Sequence, residues 1–67
     1  MTEEQKIEFE RFAEIAAAKG YNQMVCLAAG SIMLSSQDWK KTINDIIVLA
    51  EKCETCEDFG HQLIEQF

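Results

Sequence analysis

"KCETCEDFGHQ", residues 52–62, contains two of the three cysteines of this chain and its only histidine. The stretch has two readings, and each leads to a different fold. In the first, Cys53, Cys56 and His61 are metal ligands, Cys26 is the fourth, and a zinc ion organises the chain. In the second, Cys53 ends one helix, Thr55 caps the next, and the cysteines are small apolar side chains on the seam between the two. The spacing Cys-x2-Cys-x4-His supplies only one zinc half-site, whereas structural zinc sites usually show two. Thr55 followed three residues later by Asp58 is a capping-box pattern, which gives the intervening threonine its own purpose. The helical reading is therefore preferred and no cofactor is expected. Cys26, Cys53, Cys56 and His61 stand as the zinc alternative. Redox chemistry at Cys56 is opposed by the negative charge of Glu54, Glu57 and Asp58 around it. His61 is five positions from Cys56 on the same helix and points to another side, so it is no base for that thiol. It is expected in solvent beside Glu57.

Helices extend outward from this junction. Downstream, Cys56, Phe59, Leu63 and Phe67 form the inner stripe of a fourth helix, weakened by Gly60 at ~1 kcal/mol relative to alanine. Upstream, "SSQDWKKTINDIIVLAEKC", residues 35–53, carries Trp39, Ile43, Ile46, Ala50 and Cys53 at alternating steps of four and three, a packing seam. Ser35 with Asp38 predicts a capping box at its start. Ile47, Val48 and Leu49 broaden the seam beyond one face. The preceding segment, "NQMVCLAAGSIML" behind the cap Asn22, is apolar on almost every side, which predicts a central or sandwiched helix. Its Ala28, Ala29, Gly30 and Ser31, with Ala13, Ala16 and Ala17 of the first helix, predict a close crossing of those two. The first helix opens on Thr2 and Gln5, a capping box, and stops at Gly20. Glu3 and Glu4 sit at its positive end and Lys19 at its negative end. Phe9, Phe12, Ala13 and Ala16 mark its buried face. The expected fold is all-α: a compact bundle of three to four short antiparallel helices in a single domain, residues 1–67, with connections of a few residues.

Composition narrows the function classes. The chain has 67 residues, 48% of them apolar, and a net charge of −6. Scaling for this size gives ~6,700 Å² removed from water. With a little over half of that apolar, burial stabilises by ~100 kcal/mol at ~25 cal/mol/Å². Ordering the chain costs ~100 kcal/mol as well, at ~1.5 kcal/mol per residue. A balance so close to zero, with so much apolar side chain, favours self-association or docking. Six basic residues against twelve acids disfavour binding to phosphate backbones and to anionic membrane surfaces. A helix-turn-helix reading of helices two and three fails on the same ground, since Lys40 and Lys41 are flanked by Asp38 and Asp45. No apolar run approaches the ~20 residues of a membrane span. The opening "MTEEQKIEFE" is acidic, unlike the basic start of a secretory signal, and three cysteines are an odd number. A reducing, cytoplasmic setting with free thiols is the expectation.

No nucleophile with a base, glycine-rich phosphate loop or paired inward carboxylates can be assembled, so an enzyme is not expected. The leading expectation is a non-catalytic interaction or regulatory module, a homodimer or the partner of another protein. Its apolar surface is expected on helices two and three, from Met24, Met33, Trp39, Ile47, Val48 and Leu49. Methionine adapts to irregular partners, and tryptophan is enriched at binding hot spots. For Trp39 and Tyr21 ordinary core packing is the stronger reading. Residues 53–67 hold Glu54, Glu57, Asp58 and Glu65 without a lysine or arginine. That patch gives the second expectation: an acidic inhibitor, of phage or mobile-element type, docking on a basic nucleic-acid enzyme or defence complex.

Overall fold

The start and stop signals come first, because they set the lengths of everything that packs. In the computed structural model, which describes residues 1–67, four helices follow one another: α1 (Glu3–Lys19), α2 (Gln23–Ser35), α3 (Trp39–Lys52) and α4 (Cys56–Gln66). At the start of α1 the Gln5 amide donates to Thr2 Oγ1 at 3.2 Å and the Thr2 amide donates to Gln5 Oε1 at 2.9 Å. Asn22 Oδ1 accepts from the Val25 amide at 2.9 Å, and Thr55 Oγ1 accepts from the Asp58 amide at 3.1 Å. Gly20 has φ +74°, and the amides of Gly20 and Tyr21 donate back to the Ala17 and Ala16 carbonyls. This is a Schellman stop, for which a residue without Cβ is the unstrained choice.

One cap is elsewhere than expected. Ser35 is the last residue of α2, and Asp38 caps α3 by accepting from the Lys41 amide at 3.3 Å. The α2–α3 turn is tied instead by the Ser36 and Thr42 hydroxyls, 2.6 Å apart. A serine already committed to the end of one helix has no free geometry with which to start another.

The centre of the bundle is α3. It packs against α1, α2 and α4, and its heaviest contact is with α1. Ile43, Ile46, Ile47, Leu49 and Ala50 are all buried on it. The broad apolar arc of α3 is thus the surface of a helix with three neighbours. This changes one expectation. Helix α2 touches all three other helices but is not enclosed by them, and it fully buries only Ala29, Gly30 and Met33. Helices α1 and α2 meet closely at Gly30, where the Phe9 ring lies 3.4 Å from the place of a Cβ. Through the core runs a line of rings: Phe9 to Phe12 at 5.5 Å, Phe12 to Phe59 at 5.6 Å, and Phe59 to Tyr21 at 4.8 Å. It joins α1 to α4 and to the α1–α2 turn.

The last turn of α3 places Ala50 and Cys53 in the core, and its terminal carbonyls need donors. They receive them from residues about thirty positions earlier in the sequence. Lys19 Nζ lies 2.7 Å from the Ala50 carbonyl oxygen, 2.8 Å from that of Glu51 and 3.1 Å from that of Cys53. The buried Tyr21 hydroxyl lies 2.5 Å from the Cys53 oxygen and 3.1 Å from the Ala50 oxygen. Lys19 sits in the last turn of its own helix as expected, and its ammonium also complements the negative end of α3.

Burial, followed by the neighbouring Cys53, Cys56, Glu54 and Asp58, pushes the Tyr21 phenol up to about 12. An unfolded tyrosine ionises at ~10. The unfolded state therefore releases its proton first as the solution becomes alkaline. The contribution of Tyr21 to stability is complete below ~10 and is lost as pH rises through the folded value. Tyr21 is the only tyrosine, so tyrosinate absorbance reads it directly. The midpoint is expected near the folded value in buffer and near the ordinary one in denaturant, and equal midpoints would refute the buried phenol. Glycine substitutions test the helix ends in urea melts. Gly20→Ala is expected to destabilise by ~1–2 kcal/mol through the left-handed backbone. Gly60→Ala is expected to stabilise by ~0.5–1 kcal/mol, because the new methyl would meet only Val25, at an ordinary 3.9 Å.

Candidate protein-docking face

The residues on which a metal or redox reading rested are spread over three helices, with Cys56 and His61 sharing α4. Cys53 is buried at the end of α3, Cys56 is half-buried at the first turn of α4, and Cys26 is half-buried on α2. All three thiols are free. His61 is exposed on the outer side of α4. No three histidine, cysteine, aspartate or glutamate side chains converge on a common point, so the set Cys26, Cys53, Cys56 and His61 is not assembled. The seam explains the thiols. Burial, and then Asp58 and its hydrogen bond, push the Cys53 thiol up. Burial, and then Cys56 across the α2–α4 contact, push the Cys26 thiol up. Cys56 Sγ also accepts the Asn22 amide at 3.5 Å, tying α4 to the start of α2.

The expected docking residues divide sharply. Met33 is 0% exposed, Ile47 5% and Leu49 6%, so these three are core and present no surface. The reason is the central place of α3, which turns an arc read as surplus into contact with neighbours. Trp39 is half-buried against the core, with the Lys40 ammonium 5.8 Å from its ring centroid. Lys40 is also paired with Glu4 at the start of α1, which pins that edge and raises the lysine pKa. Val48 is exposed, but it lies in a mixed groove with Asp45, Lys52 and Asp58 between α3 and α4. Of the expected set, only Met24 stands on an open apolar surface.

That surface is the outer face of α2. Met24, Leu27, Ala28, Ser31 and Leu34 recur at steps of three and four and all point to solvent. Met24 is 79% exposed and Leu27 65%. On the α1 side the face continues into a groove of about 230 Å³ lined by Met1, Phe9, Cys26, Gly30 and Leu34. On the α4 side it continues into a groove of about 480 Å³ with Val25, Cys56, Gly60 and Ile64, whose α4 rim carries Glu57 and His61. Ile64 is 80% exposed. Burying one leucine, isoleucine or methionine stabilises by ~1.5–3 kcal/mol, and most of that is unrealised at these positions.

A signal for this face is present in the sequence: from Gly20 to Gln37 there is no charged residue. A solvated helix face carries charges, and the outer face of α2 carries none. The four acids Glu54, Glu57, Asp58 and Glu65 are all exposed around α4. The ion pairs of the molecule (Glu8–Arg11, Glu4–Lys40 and Asp45–Lys41) lie elsewhere. No helix is long and apolar enough to cross a membrane.

The chain matches no protein-family model, no curated protein and no solved structure at a significant level. The functional reading therefore rests on its own residues.

Truncation separates core from face. In urea melts dilute enough to keep the chain monomeric, Leu49→Ala is expected to destabilise by ~2–5 kcal/mol, whereas Leu27→Ala and Val48→Ala each stay within ~0.5 kcal/mol. A Leu27→Ala loss as large as that of Leu49→Ala would mean that α2 has no open face.

Proposed function

We propose that this chain is a non-catalytic protein-interaction module that docks a protein partner on the outer face of α2. The observation that carries the reading is an exposed helix face with Met24, Leu27 and Leu34 on it and no charge from Gly20 to Gln37. Ordinary monomers keep contiguous apolar patches small, and larger ones mark interaction sites. Met24, Leu27 and Leu34 lie outside the buried core cluster, so their apolar surface is available for binding.

The acidic surface gives a second reading, favoured by one observation. Glu54, Glu57, Asp58 and Glu65 are exposed and take no part in the ion pairs of the molecule. In that reading the α4 end docks on a basic protein, as an inhibitor would, and binding weakens steeply with salt.

Site-specific photo-crosslinking in living cells decides where partners sit. A photoreactive residue replacing Leu27 is expected to yield protein adducts, and one replacing Val48 or Glu65 is not. Adducts at Glu65 with none at Leu27 would favour the acidic reading. Equal labelling at Leu27 and Val48, or none at Leu27, would refute the α2 reading.

A further inference from the structure

The partner on this face can be argued from its chemistry. We propose that the occupant is a second copy of this chain, its α2 packed antiparallel on the first about a two-fold axis level with Ala29. This rests on the α2 docking reading above and adds the partner to it.

Charge is the first argument. Each chain carries −6, so two copies tolerate contact only where neither brings a charge to the interface. The outer face of α2 meets that requirement, because its charge-free run extends past both helix ends, from Gly20 to Gln37. Charges elsewhere on the two copies are screened beyond ~8 Å at physiological ionic strength. A basic partner would find one acid to pair with, Glu57 on the α4 rim, and none on α2 itself. An anionic lipid surface would find no lysine or arginine along its rim.

Shape is the second argument. Met24, Leu27, Ser31 and Leu34 are placed symmetrically in sequence, 24 with 34 and 27 with 31. In an antiparallel pair, Met24 of one copy lies over Leu34 of the other, and Leu27 lies over Ser31. A large side chain thus meets a small one on either side of the axis, and the short Ala28 lets the backbones approach. The flanking grooves at Met1 and Ile64 then receive the edges of the ridge from the other copy.

Area is the third. A stable interface covers ~800 Å² per partner, against an accessible surface of 4472 Å² for the chain. One exposed helix face ~20 Å long falls short of that by itself. The pair therefore has to extend into the flanking grooves at Met1 and Ile64, with Glu57 left at the solvated rim, and it leaves the α3 groove at Val48 free.

Sedimentation equilibrium of the full chain, from micromolar to millimolar loading, tests this. The native chain is expected to move from its 7.6 kDa mass to twice that value, and added salt should tighten the pair by screening the like charges. Leu27→Glu should abolish pairing with helicity unchanged by circular dichroism. Should that variant lose helicity, Leu27→Ala serves instead, with at least a ~10-fold weaker dimer. Val48→Glu should pair like the native chain. Mixing Leu27→Glu with Ser31→Lys should restore a two-chain species, because the antiparallel register brings the new carboxylate to the new ammonium. A native chain that stays at single mass throughout would overturn self-pairing, while adducts to other proteins at position 27 would keep the docking reading. A dimer that survives Leu27→Glu, or is lost with Val48→Glu, would place the contact on another face and overturn the proposal. Failure of the mixture to pair would overturn the antiparallel register.

Discussion

The carbonyl end of α3 is the constraint on which the arrangement depends. The last turn of α3 carries Ala50 and Cys53 into the core, so carbonyls there need protein donors. Here Lys19 and Tyr21 reach the Ala50, Glu51 and Cys53 oxygens from the α1–α2 turn. For both side chains to arrive there, α1 must stop at Gly20, and the α1–α2 turn must lie against the α3–α4 turn. The left-handed glycine, the buried tyrosine and the Thr55 cap of α4 are parts of one junction. The ring of Tyr21 then stacks on Phe59, and Phe59 on Phe12, so the polar junction continues directly into the aromatic core.

A central α3 has a consequence for α2. Three helices share the apolar arc of α3, and α1 takes the largest part. What α2 can bury there is limited to Ala29, Gly30 and Met33, with Val25, Cys26 and Ile32 partly covered. Its remaining large apolar residues, Met24, Leu27 and Leu34, stay exposed. The same small residues that let α2 sit close to Phe9 leave it with too little bulk on the inside and too much on the outside. A helix that folding needs only along one edge is free to use the other for binding. In this chain that other edge is the one without charges.

The acids follow a different logic. Glu3 and Glu4 lie in the first turn of α1, and Glu57 and Asp58 in that of α4, where the helix dipole favours them. Asp38 caps α3, and Asp58 also faces the Cys53 thiol. Much of the net charge is therefore accounted for locally, which weakens it as a sign of a basic partner. The charge-free run has no such local explanation, and for that reason it carries more functional information than the acidic surplus.

Local rules were enough for the sequence to determine four helices and nearly all their ends. Thr2, Asn22 and Thr55 cap where their hydrogen-bonding side chains predict, Gly20 stops α1, and the heptad-like steps of α3 mark Ile43, Ile46, Ala50 and Cys53 as buried. These are interactions within four residues or within one helix face, and they leave a readable pattern. Tertiary structure decided which helix is central, and with it which apolar residues face water. Ile47, Leu49 and Met33 read as surplus because periodicity counts apolar positions but not the neighbours that cover them. Lys19 and Tyr21 read as local features because a donor's partner more than thirty residues away leaves no mark on the spacing around it. Where Cys26 and His61 lie relative to Cys53 and Cys56 is likewise a matter of packing that the spacing of the cysteines does not report. Distance along the chain separates what periodicity can report from what only packing can create.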